Sequence, residues 1–381
     1  MMQSGKFELE DSKQRVLLVS SYPFSQTSRG MDVLTEAFER EGWNVDHLNF
    51  PRAFYTPKIP PPQGIKVRSL QPSLTWLPYI DRFMWWIPRC LFEIIRLINI
   101  RTLDGIVNLS SYSFAVLESG KPLLLLPEMP DTVKIIYRQS DSVNLVLGRG
   151  RWYCELENVV FRNATLTILK KDVYRNYVPK NCRDKIVVVE NGMAFPDEIS
   201  ARNPFREDSL NAIYVGLHPL DMKTLLLLLR RLRAVDFHII GPCLNVFQRQ
   251  ILRIFSNFFY SRFLPKEVYM PMLKHSDVAI FPFVRTKKMR WFGLTSKFLH
   301  SMYFKLPIVS YYTGLPGEFE ELPVKFAGNR TDFVDEVANS IMKKPVTYAV
   351  NFDYYSPQMR MNEYRQIVRG LQKPDSKTTA C

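Results

Sequence analysis

Short apolar runs alternate with helical patterns along this 381-residue chain, and the alternation stops once and then restarts. Continuous apolar runs of this kind are typical of parallel strands that are buried on both faces. The predicted strands are residues 16–19, 43–50, 106–109, 123–126, 134–137, 165–169 and 186–189, and then 212–215, 235–240, 278–281 and 307–311. Helical spacing separates them, as at residues 155–162 and 224–233. The pattern predicts an α/β protein with two parallel sheets.

The chain is too long for one typical hydrophobic core, so two domains are expected. Residues 196–208 resemble a linker, and the strand and helix alternation restarts after them. We predict a first Rossmann-like domain over residues 1–200 and a second over residues 201–350. Residues 351–381 are predicted to form a helix that returns to the first domain, followed by a short tail.

The net charge of +14 is unusual for a globular protein. It predicts a polyanionic partner, which can be an acidic membrane leaflet, a nucleic acid or a nucleotide diphosphate. The five cysteines have no paired spacing, so reduced thiols are expected and a zinc site is not. The polar first residues do not resemble a signal peptide, and no apolar run approaches the ~20 residues that span a bilayer. These features predict a cytoplasmic protein.

The stretch Lys134 to Asp141 places one carboxylate at the end of a predicted strand. In open α/β sheets this edge is where ligands bind. A carboxylate there can take the proton of an acceptor hydroxyl during group transfer. The alternative is that Asp141 caps the helix that follows it. The dinucleotide motif G-x-G-x-x-G is absent, which argues against an oxidoreductase.

Thr295, Ser296 and Lys297 open a helical pattern in the second half of the chain. A lysine at a helix start can neutralise a departing diphosphate together with the backbone amides. No D-x-D spacing beside a strand offers a metal site, so a metal-free route is expected. The alternative is an exposed lysine on a surface helix. Gly216 ends the first strand of this half, where it either lets a diphosphate approach the backbone or forms a tight turn.

Two segments combine aromatic and basic residues, at residues 82–101 and 246–263. Such segments suit an interfacial helix on an anionic leaflet, where each Lys or Arg contributes about 1 kcal/mol. The alternative is an ordinary core helix with arginines at its rim. Arg285 and Arg290 belong to a further basic run, which is either a solvated loop or a flap that faces phosphate.

The order of these features resembles the GT-B glycosyltransferases, in which two Rossmann-like domains face a nucleotide sugar across a cleft. More narrowly, it resembles the inverting, GumK-type glucuronosyltransferases of xanthan assembly. The resemblance spans most of the chain but is thin between its motifs. The motifs that carry it are residues 17–21 with Arg29, 136–141, 215–216 with Asp221, 280–283, 295–297 and 305–307.

The resemblance implies that Asp141 is the general base and that Lys297 holds the diphosphate or the donor's carboxylate. It implies a UDP-glucuronate donor, a lipid-diphosphate-linked oligosaccharide acceptor and attachment to the inner face of the membrane, in surface polysaccharide synthesis. The predicted site residues otherwise fall into two sets. The donor set adds Thr295, Ser296, His300, Gly216, His218, Asn191, Gly192 and Arg290; the acceptor set is Arg29, Ser21 and Arg138.

The chain departs from that family at Ser296 and His218, where the family has methionine, and at His300, where it has glutamine. Contacts to the nucleobase and sugar are therefore expected to differ. Retaining relatives carry two glutamates around this helix, where Phe292 and His300 stand here, which favours inversion. No metal or cofactor and no nucleic acid is expected. Two alternatives stay open: the same fold with another nucleotide sugar, and a non-catalytic nucleic-acid-binding protein.

Overall fold

Parallel strands form both sheets of the computed structural model, which describes residues 14–24, 29–50, 64–72, 87–143, 151–195, 202–286, 293–311 and 318–372. Over these ranges the chain divides into two compact units, Met1–Ala194 with Asp353–Cys381 and Phe195–Phe352. The units therefore divide after Ala194 and before Asp353, whereas the predicted divisions lie after residues 200 and 350.

The first unit contains a seven-stranded sheet over the described ranges. Its order is β3-β2-β1-β4-β5-β6-β7, and all its pairs are parallel. The strand order reverses between β1 and β4, which makes the carboxyl ends of these two strands a topological switch point. The strands are β1 (Arg15–Ser20), β2 (Asn44–Asn49), β3 (Val67–Leu70), β4 (Phe114–Glu118), β5 (Lys134–Gln139), β6 (Leu166–Leu169) and β7 (Ile186–Val188).

Helices cover both faces of this sheet. They are α1 (Gly30–Arg40), α2 (Arg89–Arg101), α3 (Arg151–Asn163) and the C-terminal α9 (Pro357–Gln372). Because side chains alternate along a strand, Leu18 of β1 packs in one buried cluster with Phe38 and Tyr364, and Leu17 packs in another with Phe161. The predicted return of the C-terminal helix to the first unit is confirmed, since α9 packs on α1.

The second unit contains a six-stranded parallel sheet over the described ranges, in the order β10-β9-β8-β11-β12-β13. Its strand order reverses between β8 and β11. The strands are β8 (Leu210–Val215), β9 (Val235–Ile240), β10 (Phe258–Ser261), β11 (Val278–Phe281), β12 (Ile308–Tyr311) and β13 (Val324–Ala327). The helices are α4 (Met222–Arg231), α5 (Val246–Leu252), α6 (Lys266–His275), α7 (Ser296–Tyr303) and α8 (Arg330–Ser340).

Three predicted elements are wrong. Residues 123–126 lie in a 3-10 helix, Lys121–Glu128, because Pro122 and Pro127 remove the amide hydrogens that a strand ladder needs. Residues 106–109 precede the true strand β4 and do not pair. The segment 246–263 is not one interfacial helix, since it divides into α5 and the edge strand β10. Among the described residues, no helix is long and apolar enough to cross a membrane.

Candidate active site

A cavity of about 230 Å³ lies at the carboxyl edge of the second sheet. It borders the switch point, because its wall includes the turn that follows β8. Ligands of open α/β sheets bind at this position. The volume is a little below the range of about 300–1,000 Å³ that is usual for small-molecule sites. The lining includes residues 215–217, 240–242 and 262–264 and, from α7, Ser296, Lys297, His300 and Ser301.

Lys297 and Gly216 are in close contact in this cavity. A Cβ atom at Gly216 would stand 2.6 Å from Cε of Lys297 and 2.5 Å from the hydroxyl oxygen of Tyr214. A Cβ at Gly241 would overlap the backbone of Gly216, so the turns after β8 and β9 also approach closely. Gly216 is therefore a glycine because of the space that its neighbours occupy. Its lack of a side chain lets the lysine lie against the sheet edge.

The hydroxyl of Tyr214 organises the same turn. Burial raises the pKa of Tyr214, so the hydroxyl keeps its proton and donates a hydrogen bond to the backbone carbonyl of His218 at 3.1 Å. The His218 ring packs edge-on against Phe283, with 5.8 Å between ring centres. His218 itself does not line the cavity, although Gly216 and Leu217 do.

The start of α7 faces the cavity through Ser296 and Lys297. Thr295 occupies the N-cap position, but its side chain makes no capping hydrogen bond. The preceding amide of Leu294 instead donates to Oε2 of Glu318 at 2.6 Å, which fixes the turn that leads into the helix. A helix start carries partial positive charge from its first amide groups. Combined with the Lys297 ammonium, it gives this wall of the cavity the character of an anion site.

The remaining residues of the predicted donor set are distributed differently. His300 lines the cavity and its ring also packs edge-on against Phe195, 6.1 Å away. Asn191 and Gly192 lie in the first unit instead, where Asn191 accepts a hydrogen bond from Arg138 and Gly192 packs against Arg360 of α9. Arg290 lies outside the described residues.

Asp141 follows β5 at the carboxyl edge of the first sheet. Its Oδ1 accepts a hydrogen bond from Nζ of Lys170 at 3.2 Å, and its side chain is 38% exposed. Its backbone amide donates to Oγ of Ser119 at 3.1 Å. Lys170 thus holds the carboxylate and Ser119 holds its backbone, while the side chain stays partly open to solvent, as a base that meets an acceptor hydroxyl must be.

Arg29 stands at the N-cap position of α1, and Ser21 directly follows β1. Its guanidinium lies over the ring of Tyr22 at 4.3 Å and donates to Oγ of Ser20 at 3.2 Å. The Arg29 side chain is 32% exposed, and the Tyr22 residue is 60% exposed. A half-exposed arginine beside a helix start suits contact with an anionic group.

Arg138 is placed differently from Arg29, because its side chain is only 2% exposed. Its guanidinium donates to the hydroxyls of Tyr364 and Ser140 and to Oδ1 of Asn191. A Cβ at Gly30 would overlap this guanidinium. Arg138 therefore connects the strand end to α1 and α9, and it does not present its charge to solvent.

Several residues at these edges were not found from the sequence. Glu118, Ser119 and Lys170 surround the turn of Asp141, and each follows or ends a strand that is a neighbour of β5. Arg262 and Phe263 line the cavity directly after β10, and Phe263 is 82% exposed. The available signal is their position after short apolar runs: no strand is predicted directly before Glu118 or Arg262, whereas Lys170 directly follows a predicted strand.

No protein-family model matches the sequence, and no curated protein matches it. Solved structures do match. Sucrose-phosphate synthase from Thermosynechococcus elongatus is 16% identical with a TM-score of 0.66, covering 94% of this chain and 99% of that one. HepE from Anabaena, in complex with UDP-glucose, is 12% identical with a TM-score of 0.60, covering 93% and 99%.

A UDP-forming α,α-trehalose-phosphate synthase from Burkholderia xenovorans is 11% identical with a TM-score of 0.57, covering 94% of this chain and 97% of that one. At these identities the likeness concerns the fold. Together with the two sheets described above, it shows that the chain has the GT-B fold, with two Rossmann-like domains. The predicted fold class is thereby confirmed.

Proposed function

We propose that this protein is a glycosyltransferase that takes its sugar from a UDP-sugar donor. The observation that carries the proposal is the cavity at the switch point of the second sheet, with Lys297 lying over Gly216 at the start of α7. The structural neighbours support the nucleotide, since HepE is seen with UDP-glucose and the trehalose-phosphate synthase is named UDP-forming. Fold alone does not define an activity, so the site carries the argument.

The cavity offers separate contacts for the parts of a nucleotide diphosphate. Lys297 and the first amides of α7 neutralise the diphosphate, whose negative charge grows as the sugar leaves. Phe263 offers an exposed aromatic face beside Arg262, and such a face suits stacking of a base. Ser296 and His300 also line the cavity, and we assign them as polar partners for the ribose or the sugar.

Asp141 is proposed as the general base that takes the proton of the acceptor hydroxyl. A single base suffices for inversion, because the nucleotide diphosphate is already a competent leaving group. We further propose that the reaction needs no metal ion, since Lys297 and the helix start supply positive charge.

The finer donor and acceptor assignments rest on the resemblance to the GumK-type enzymes. They are glucuronate as the sugar and a lipid-diphosphate-linked oligosaccharide as the acceptor, in surface polysaccharide synthesis. Arg29 supports the acceptor assignment, because its half-exposed guanidinium at the start of α1 suits a phosphate group.

A location on the cytoplasmic face of the membrane is proposed from α2. One face of this helix is buried through Phe92 and Ile95, while Leu91, Ile94 and Leu97 are 44%, 53% and 44% exposed. These three positions share a helix face. Exposed arginines stand at both ends of the helix, Arg89 and Arg101. An apolar face flanked by cations suits the interface of an anionic leaflet.

The proposal is tested by measuring the binding of UDP and UDP-sugars to the protein and the transfer of sugar to an acceptor. UDP, UDP-glucuronate and UDP-glucose are compared by thermal shift, and ligand at 100 Kd adds about 2.7 kcal/mol of stability. Transfer is then followed by mass spectrometry with a polyprenyl-diphosphate-linked oligosaccharide. Stabilisation by UDP and a product one sugar heavier are expected. Salt-dependent oligonucleotide binding without any affinity for UDP would instead support a nucleic-acid-binding protein.

A further inference from the structure

Glu118 connects three strand ends at the switch point of the first sheet. It is the last residue of β4, and its side chain is only 7% exposed. Oγ of Ser20, the last residue of β1, donates to Oε2 of Glu118 at 2.5 Å. Oγ of Ser140, which follows β5, donates to Oε1 at 2.6 Å. Burial of a carboxylate is costly unless its oxygens are hydrogen-bonded, and these serines provide that.

Each serine also contacts an arginine on its other side. Arg29 donates to Oγ of Ser20 at 3.2 Å, and Arg138 donates to Oγ of Ser140. Both guanidinium groups approach a Glu118 oxygen to 3.9 Å. A serine hydroxyl has one proton. Since each hydroxyl donates its hydrogen bond to Glu118, the lone pairs of both serines remain to accept from the arginines.

The same carboxylate lies next to the turn that carries Asp141. Ser140 immediately precedes Asp141, and Ser119, which follows Glu118, accepts the hydrogen bond of the Asp141 amide at 3.1 Å. Residues 118–119 therefore hold residues 140–141 through two separate hydrogen bonds. The network therefore anchors the turn that carries the Asp141 carboxylate, which is 38% exposed, and contacts the Arg29 guanidinium, which is 32% exposed.

We propose that Glu118 is a positioning residue for the transfer reaction. It orients Asp141 for proton removal and Arg29 for contact with the acceptor's negative charge, and it does not touch the substrate. Glu118 has this role through its hydrogen bonds to Ser20 and Ser140, and the inference rests on the proposed function.

Glu118→Gln is the direct test. A glutamine amide has one accepting oxygen, so its NH₂ group must face a serine hydroxyl and turn it. Misplacement of catalytic groups by 1 Å can cost about 10²-fold in rate. We expect kcat to fall by about that factor and the acceptor KM to rise, while the Kd of UDP stays unchanged. Asp46→Asn is the matched control, since Asp46 is also a buried carboxylate, bound by Arg15, Arg68 and Tyr112. It is expected to lose thermal stability and keep kcat and both KM values.

Ser140→Ala gives a second, smaller variant should Glu118→Gln fail to fold. If Glu118 acts through Ser140, the effects of the two substitutions on kcat are not additive, and the double variant is no slower than Glu118→Gln. An active wild type with unchanged kcat and acceptor KM in both variants would overturn the inference while leaving the proposed function intact. Absence of UDP binding and sugar transfer in the wild type would overturn both.

Discussion

Lys297 lies directly against the Cα of Gly216, so that a single methyl group at position 216 would stand 2.6 Å from Cε of the lysine. The two residues are about eighty positions apart in the sequence, and the switch point between β8 and β11 brings them together. The bare backbone of Gly216 therefore determines where the ammonium group lies. This contact places a cation at the edge where the leaving diphosphate is proposed to sit.

Gly216→Ala is expected to weaken UDP binding by about tenfold, which corresponds to roughly 1.4 kcal/mol. The added methyl group displaces the lysine or the Tyr214 hydroxyl, because a real Cβ cannot stand so close to either atom. Calorimetric titration with UDP measures the effect. Gly370→Ala is the control, since a Cβ at Gly370 meets no atom within 4 Å. Equal affinities in the two variants would refute the role given to this glycine.

Lys297→Ala is expected to raise the Kd of UDP by about 10- to 100-fold, since a hydrogen bond to a charged group contributes about 1.5–3 kcal/mol. Lys223 offers a close control, because it is the second residue of α4 as Lys297 is of α7. Lys223 is exposed and does not line the cavity, so Lys223→Ala is expected to bind UDP normally. Titration of both variants with UDP at low and high salt distinguishes a direct contact from an effect of net charge. A similar loss of UDP affinity in both variants would mean that only net charge matters.

Glu41 is expected to stabilise the docking of the C-terminal helix. Its carboxylate accepts hydrogen bonds from Nε of Arg365 at 2.5 Å and Nε of Arg369 at 2.8 Å, both on α9. The hydrogen bond from Arg369, followed by that from Arg365, holds the pKa of Glu41 below its ordinary value of 4.5. Glu41→Gln is expected to cost about 1 kcal/mol, or roughly 2–4 °C in Tm.

The pH dependence of this contribution has a definite sign. Because the pKa of Glu41 is lowered in the folded protein, its stabilisation is fully present above pH 4.5 and is lost as the pH falls through the lowered value. The difference in Tm between wild type and Glu41→Gln should therefore shrink below pH 4.5. Glu36→Gln is the control, since Glu36 forms its ion pair within α1, with Arg40. A difference that grows on acidification would contradict this account.

The exposed face of α2 is expected to bind anionic vesicles. Ile94→Glu and Leu97→Glu place negative charge on that face, so co-sedimentation with phosphatidylglycerol vesicles should fall several-fold. Met342→Glu is the matched control, because Met342 is 76% exposed but lies outside α2. Equal loss in all three variants would assign the effect to net charge, and no loss in any of them would exclude α2 as the contact.

Much of the fold could be predicted because buried parallel strands leave a local signal. Residues 235–240 and 278–281 were placed at their observed bounds, since apolar β-formers dominate both. The sequence does not predict β4, because the leucine run at residues 123–126 is more apolar than residues 114–118. Only the flanking prolines mark that leucine run as a 3-10 helix.

The site was less accessible from the sequence because its contacts are distant along the chain. Asp141 and Lys297 follow recognisable strand and helix boundaries, so both could be nominated. The Glu118 network and the pairing of Asp141 with Lys170 depend on strand order, which local patterns do not determine. The burial of Arg138 could not be predicted either, because its hydrogen-bond partners Asn191 and Tyr364 lie after β7 and in α9.

We propose that the first unit supplies the base and the second holds the nucleotide, and Asp141→Asn separates these two roles. Sugar transfer to the lipid-linked acceptor is measured beside the Kd of UDP, with the exposed Asp131→Asn as control. Loss of a general base costs about 10²–10⁴-fold in rate, so transfer should fall by that factor while UDP binding and the control stay at wild-type values. Wild-type transfer by Asp141→Asn would contradict the account.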